Sequence, residues 1–175
     1  MEIKYHITEE DYLKFNMFHI NNSESANKSL KTQRFATPFV YIIFAYIFAN
    51  IADIPFLYAL IPFLIVGILW VIFYPKYFQT RILSQTKKML REGKNEGLLG
   101  EHTMILSEDG IVDSNPNGET KVNWSGIIKL QEDESNLYIY NSAVSAYIIP
   151  KRELNVVEDV REYIKSKLPH LISNA

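Results

Sequence analysis

The sequence predicts an α+β membrane protein: a transmembrane two-helix hairpin carrying a cytoplasmic antiparallel β domain that ends in a C-terminal helix. Three observations predict it. Phe35 to Ala52 carries no charge, and after Asp53 the stretch from Ile54 to Pro75 again carries none. Basic residues flank both stretches, and from about Leu99 short alternating segments separated by turn residues replace the long apolar runs. Whole-chain composition hides this division, because 22% charged residues, a mean hydropathy of -0.06 and a net charge of -2 are ordinary for a soluble domain.

The amino-terminal part, residues 1–27, reads as a cytoplasmic strand and helix. Ile3, Tyr5 and Ile7 alternate as in a half-buried strand, and Thr8 with Asp11 three residues on forms a helix cap leading into Tyr12, Phe15 and His19. If both termini share one compartment, this strand is expected to add to the edge of the distant β domain, giving seven strands with the six predicted there.

Residues 28–94 form the predicted hairpin, with spans at about 35–52 and 54–75. At 1.5 Å per residue the two charge-free stretches reach roughly 27 and 33 Å, enough to cross a hydrocarbon core of about 30 Å. Their apolar residues run around the whole helix, whereas a helix buried in a soluble protein would carry one stripe. Thr37 and Pro38 suggest a cap with proline in the first helical turn, and Asp53 and Pro55 suggest a tight turn before the second helix. If the protein oligomerises for transport, Asn50, Asp53 and the small residues Ala45, Ala49 and Gly67 are expected near subunit contacts.

Orientation follows from the cations. Lys28, Lys31 and Arg34 precede the first span and Lys76, Arg81, Lys87, Lys88 and Arg91 follow the second, while the connection holds only Asp53. Positive charge stays inside, so both termini are expected to be cytoplasmic. Trp70, Tyr74 and Tyr77 suit the inner interface, and Phe78, Ile82, Leu83, Met89 and Leu90 continue a helical pattern towards a stop at Gly93. Lys76, Arg81, Lys87, Lys88 and Arg91 on that juxtamembrane helix are the candidate contacts to lipid headgroups.

Net charge is -3 over residues 1–27, +7 over 28–94 and -6 over 95–175. Acidic flanks argue against nucleic acid as a partner, since phosphate neutralisation needs the opposite sign.

Residues 95–175 read as the β domain. Strands are expected at Glu101 to Ser107, Ile111 to Ser114, Glu119 to Trp124, Ile127 to Gln131, Leu137 to Tyr140 and Ala146 to Ile149, an antiparallel meander. Asn155 with Glu158 suggests a capped final helix ended by Pro169, with Val156, Val160, Ile164 and Leu168 on its buried face.

The residues offer no catalytic, cofactor-binding or metal-binding set. His6, His19, His102 and His170 lack ligand spacing, and the absence of cysteine excludes thiolate zinc, iron–sulfur and thiol chemistry. Glu108-Asp109 and Glu132-Asp133-Glu134 read as solvated charges in exposed turns. Trp124 reads as a buried structural residue at a strand end.

A two-span hairpin followed by Trp124-Ser125-Gly126-Ile127, Tyr138-Ile139-Tyr140, Ala146-Tyr147-Ile148-Ile149-Pro150-Lys151-Arg152 and a last helix resembles the YcxB-like bacterial membrane proteins, over about residues 35 to 168. The resemblance implies a pleckstrin-homology-like fold for the cytoplasmic domain and supplies no catalytic residue. Pro150, Lys151 and Arg152 are expected to lead from the last strand to the helix, with Lys151 and Arg152 as further candidates for headgroups. Together these readings lead to the expectation of a non-catalytic adaptor or regulator in the cell membrane, with membrane lipids and an unidentified protein as partners. The alternative is an oligomeric transport or pore component, or a membrane immunity protein.

Overall fold

In the computed structural model, residues 1–92 and 96–168 are described; the expected stop at Gly93, Pro169 and His170 lie outside them. Seven strands and four α-helices follow in the order β1 (Glu2–Ile7), α1 (Glu9–Asn22), α2 (Glu24–Ala52), α3 (Phe56–Arg91), β2 (Gly100–Leu106), β3 (Gly110–Asn115), β4 (Gly118–Asn123), β5 (Lys129–Glu132), β6 (Asn136–Tyr140), β7 (Ala146–Pro150) and α4 (Val157–Lys167). They divide into two units: Met1–His19 with Thr86–Ala175, and Ile20–Gln85.

The first unit is built on two antiparallel sheets. The amino-terminal strand joins one of them as expected: β1 pairs with β2 so that Ile3 faces Met104 and Tyr5 faces His102, and the sheet order is β1-β2-β3-β4. The second sheet has the order β5-β6-β7. A single meander was expected, and the division falls at Trp124–Gly126, where a 3-10 turn replaces ladder pairing. Trp124 is buried there, its indole N–H donating to the Ser107 carbonyl at 3.0 Å and its ring meeting Tyr163 edge-on. Glycine is required at Gly110, because a side chain there would collide with the Val122 carbonyl on the neighbouring strand.

One core joins both sheets. Ile3, Tyr5 and Ile7 alternate inward from β1 to meet Met104, Leu106 and Ile111, and Leu137, Ile139 and Ile149 come from the second sheet. Each fully buried aliphatic or aromatic side chain in it contributes about 1.5–3 kcal/mol. Every residue of β6 is buried, which happens when a strand is covered on both faces. Tyr138 and Tyr140 meet Phe15 of α1 at 5.4 and 5.9 Å between ring centres, so α1 covers one face. By strand alternation Leu137 and Ile139 face the other way, into the shared core.

The predicted cap of α1 is present as a reciprocal pair: the Thr8 N–H donates to Asp11 Oδ2 at 2.9 Å and the Asp11 N–H to Thr8 Oγ1 at 3.2 Å. The predicted cap of α4 is not. Val156 takes the N-cap position with no side-chain bond, and at 51% exposure it leaves the buried stripe to Val160, Ile164 and Leu168. Val156 is extended and is itself the N-cap, which places Asn155 one residue before the capping position.

In the second unit α2 begins earlier than Thr37 and Pro38 suggested. Ser23 caps it by accepting from the Ala26 N–H, and Pro38 lies inside the helix. The helix-compatible run from Glu24 to Ala36 extends it, and the Thr37 hydroxyl bonds back to the Gln33 carbonyl at 2.7 Å instead of capping forward. Asp53 ends α2 in the left-handed conformation (φ 52°), which Asp tolerates better than most residues. Helix α3 runs through Pro62 and Pro75.

Pro75 has no N–H for the carbonyl of Val71 four residues back. Arg34 on α2 fills that gap, its Nε donating to the Val71 carbonyl at 2.8 Å. Beside it, the Trp70 indole N–H and the Tyr74 hydroxyl donate to the backbone and side-chain carbonyls of Gln33. Further along the hairpin Ala45, Ala49 and Ala59 are buried, and a Cβ at Gly67 would lie 3.5 Å from the Pro38 Cβ. The small residues therefore let the hairpin's own helices pack closely.

Candidate functional site

The five predicted headgroup contacts fall on one helix. Lys76, Arg81, Lys87, Lys88 and Arg91 are all exposed on α3. At 100° per residue they fit within an arc of about 140°, with Phe78, Ile82, Leu83, Met89 and Leu90 on the other side of the helix. The nearest acids to Lys87 and Lys88 are Glu9 at 3.8 Å and Glu92 at 3.9 Å, in half-exposed or exposed settings where such pairs contribute at most about 1 kcal/mol. The row is thus an amphipathic, cationic face.

Lys151 and Arg152, the further headgroup candidates, have internal roles instead. The Lys151 ammonium donates to the Asp133 carbonyl at 2.5 Å and pairs with Glu132 at 2.7 Å. Arg152 forks onto Asp11, both bonds 2.7 Å, and reaches the His6 carbonyl at 3.0 Å. This fixes the amino-terminal strand and helix to the turn after β7. Burial acts to raise the Asp11 carboxyl, but the hydrogen bonds from Arg152 and Thr8, with the guanidinium charge, outweigh it and bring the group down to about 2.

The acidic turn residues are also more than solvated charges. Asp133 accepts from the Ser135 and Asn136 amides at 2.7 and 2.8 Å and from the Tyr138 hydroxyl at 2.5 Å, which closes the turn between β5 and β6. Glu132 is held below the usual carboxylate range by the hydrogen bond from Arg161 against a smaller opposing effect of burial, with Lys151 adding to the lowering. Glu108 meets Lys167.

Three residues that sequence reasoning left scattered come together inside the first unit. The Tyr5 hydroxyl donates to Asp113 Oδ1 at 2.7 Å, and Asp113 Oδ2 lies 3.0 Å from His102 Nδ1. The Tyr5 and His102 rings stack at 5.5 Å. Burial first, then the neighbouring Asp113 carboxylate, pushes the Tyr5 hydroxyl well above its ordinary value, so it remains a donor. Because a carboxylate only accepts, His102 Nδ1 carries the proton of their bond, and in the neutral tautomer that this bond selects, Nε2 is the lone-pair nitrogen. That nitrogen is buried and has no partner among the described residues. The available signal was polar residues at inward positions of alternating strands, weak for residues about 100 apart in sequence.

The cluster lines a cavity of about 330 Å³ beside the end of β1, bounded by Thr120 to Val122 of β4 and by the β6–β7 turn with the start of β7. Of the other histidines, His6 lies 2.9 Å from Glu101 on the surface and His19 lies beside Tyr140. Among the described residues no group of three His, Cys, Asp or Glu side chains could hold a metal ion.

Residues 106–165 match the family model described as YcxB-like protein. The match runs from the end of β2 into α4 and is shorter than the stretch over which the resemblance was drawn. No curated protein and no solved structure matches the chain.

Proposed function

We propose that this chain is a non-catalytic adaptor or regulator, anchored in a cell membrane by α2 and α3, that presents a pleckstrin-homology-like domain at the inner face with both termini cytoplasmic. The observation that carries the anchoring is the outward aspect of the two apolar helices. Only 11% of the most apolar window of each is buried, with Ile51 at 79% and Leu57 at 72% exposure. A helical hairpin in the core of a soluble protein would bury these side chains, and water is a poor solvent for so large an apolar surface.

Strand pairing supports the common location of the termini. β1 precedes α2 and β2 follows α3, yet they share a ladder from Glu2–Ile105 to Ile7–Gly100. A chain that crosses a bilayer between two paired strands must cross an even number of times. The cations at the foot of the hairpin set which side this is, and the cationic face of α3 suits anionic headgroups there. Four strands, then three, then a final helix support the pleckstrin-homology-like assignment, with the hairpin inserted between the first and second strands.

Because the chain has no cysteine, single-cysteine variants report topology directly. Asp53→Cys is expected to react with an impermeant maleimide on intact cells, and Val144→Cys only after permeabilisation. The reverse pattern, or recovery of the protein in the supernatant without detergent, would overturn the anchoring. Crosslinking in native membranes is expected to capture a defined protein on residues 99–168. Ion flux in liposomes that Asp53→Asn abolishes would instead favour the transport reading.

A further inference from the structure

We propose that the cavity beside His102 is a binding site for a small, neutral, hydroxyl-bearing molecule with an apolar body, with His102 Nε2 accepting the ligand's O–H. The inference does not depend on the membrane reading, since every residue of the cavity belongs to the unit that contains both sheets.

The chemistry of the ligand follows from which hydrogen-bonding groups are already engaged. Tyr5 donates its only hydroxyl proton to Asp113, and the His102 Nδ1–H is directed to the other oxygen of the same carboxylate. His102 is part of the cavity lining, and in its neutral tautomer the imidazole offers a lone pair and no proton at Nε2. Its side chain is 5% exposed, and the unsatisfied acceptor has lost water without gaining a partner among the described residues. Leaving a buried polar atom in that state is unfavourable, and a ligand donor would recover the lost hydrogen bond.

An anion is disfavoured because the Asp113 carboxylate lies directly behind the imidazole. Ile7, Val122, Ile148 and Tyr147 provide apolar wall around the acceptor. A small apolar body with one donor fits this arrangement, in the usual design of ligand sites at the mouths of β structures.

The structural alternative is a histidine whose sole task is to satisfy Asp113. It predicts no ligand dependence on a donor, so a matched pair of probes separates the two. The full-length protein in detergent micelles, with ring-15N-labelled histidine, would be titrated with p-cresol, cyclohexanol and 4-methylanisole, the last being p-cresol with its hydroxyl hydrogen replaced by methyl.

The expected result is saturable binding of p-cresol or cyclohexanol that moves the His102 Nε2 resonance. 4-Methylanisole should bind about tenfold more weakly, the order of one hydrogen bond. His102→Phe should keep an apolar cavity and lose the preference for the hydroxyl. Should that variant fail to fold, the wild-type comparison still decides. Equal affinity for p-cresol and 4-methylanisole, or no saturable shift with either hydroxyl probe, would overturn the proposal.

Discussion

Asp11 shows how one residue can join distant parts of the chain. It caps α1 through Thr8 and receives the fork of Arg152, and at 1% exposure it has no water to replace either partner. Asp11→Ala is expected to cost about 2–3 kcal/mol in detergent-solubilised protein, from one cap and charge-assisted hydrogen bonds. Its carboxyl titrates near 2 in the fold and near 3.9 in the unfolded chain. The stabilisation is therefore complete above pH of about 4 and is lost as pH falls towards 2. Thermal melts across that window should show a steeper loss for the wild type than for Asp11→Ala, and identical slopes would contradict this role. None of this was legible in the sequence beyond the cap itself: Arg152 lies 141 positions away, and Lys-Arg after a strand reads equally well as a headgroup contact. The Tyr5, Asp113 and His102 cluster was hidden for the same reason, since Tyr5 reads as an ordinary member of the buried face of β1 and the other two alone fit exposed strand positions.

Among the elements, strands were more legible than their grouping. Gly110, the turn at Asn115 to Gly118 and strict alternation in Ile3, Tyr5 and Ile7 mark strand ends and faces locally, so all seven strands lie close to their expected positions. The separation into two sheets depends on how the chain turns at Trp124 to Gly126, where the local sequence reads as the end of a strand. Prolines misled in the opposite way. Pro38 looked like a helix start because its cost inside a helix is usually prohibitive in water, whereas a neighbouring helix can supply the missing bonds. Arg34 supplying a donor to the Val71 carbonyl is that compensation made visible, and it can be tested as a coupling. Arg34→Leu is expected to cost about 1 kcal/mol in the wild type and less in Pro75→Ala, where residue 75 regains its own N–H. Equal costs in both backgrounds would remove the link. The edge strand allows a second test: deleting residues 1–8 should open the β2 edge and speed proteolysis of residues 99–168, and unchanged protection would argue against its importance.

At the scale of the whole molecule, composition was misleading and its distribution was informative. The hairpin carries the apolar surface, and residues 28–94 hold the chain's one net positive segment, at +7, while the unit holding both sheets closes its own core without it. Replacing Lys76, Arg81, Lys87, Lys88 and Arg91 by glutamine should leave insertion intact while removing roughly 1 kcal/mol of attraction per cation to an anionic surface. Less anionic lipid should then remain with the protein after detergent exchange. Undiminished retention would restrict these residues to setting orientation.

The pairing of Tyr5 with His102 also has a consequence for biogenesis. The first strand leaves the ribosome early, but its partner is made only after the entire hairpin has been synthesised. Closing so long a loop is slow, and the strand has to stay unaggregated throughout. If the hairpin crosses a bilayer as proposed, failure of one helix to enter it would leave the two strands in different compartments, and the domain could not assemble. On the proposed topology, completion of the sheet would thus require that both helices had crossed.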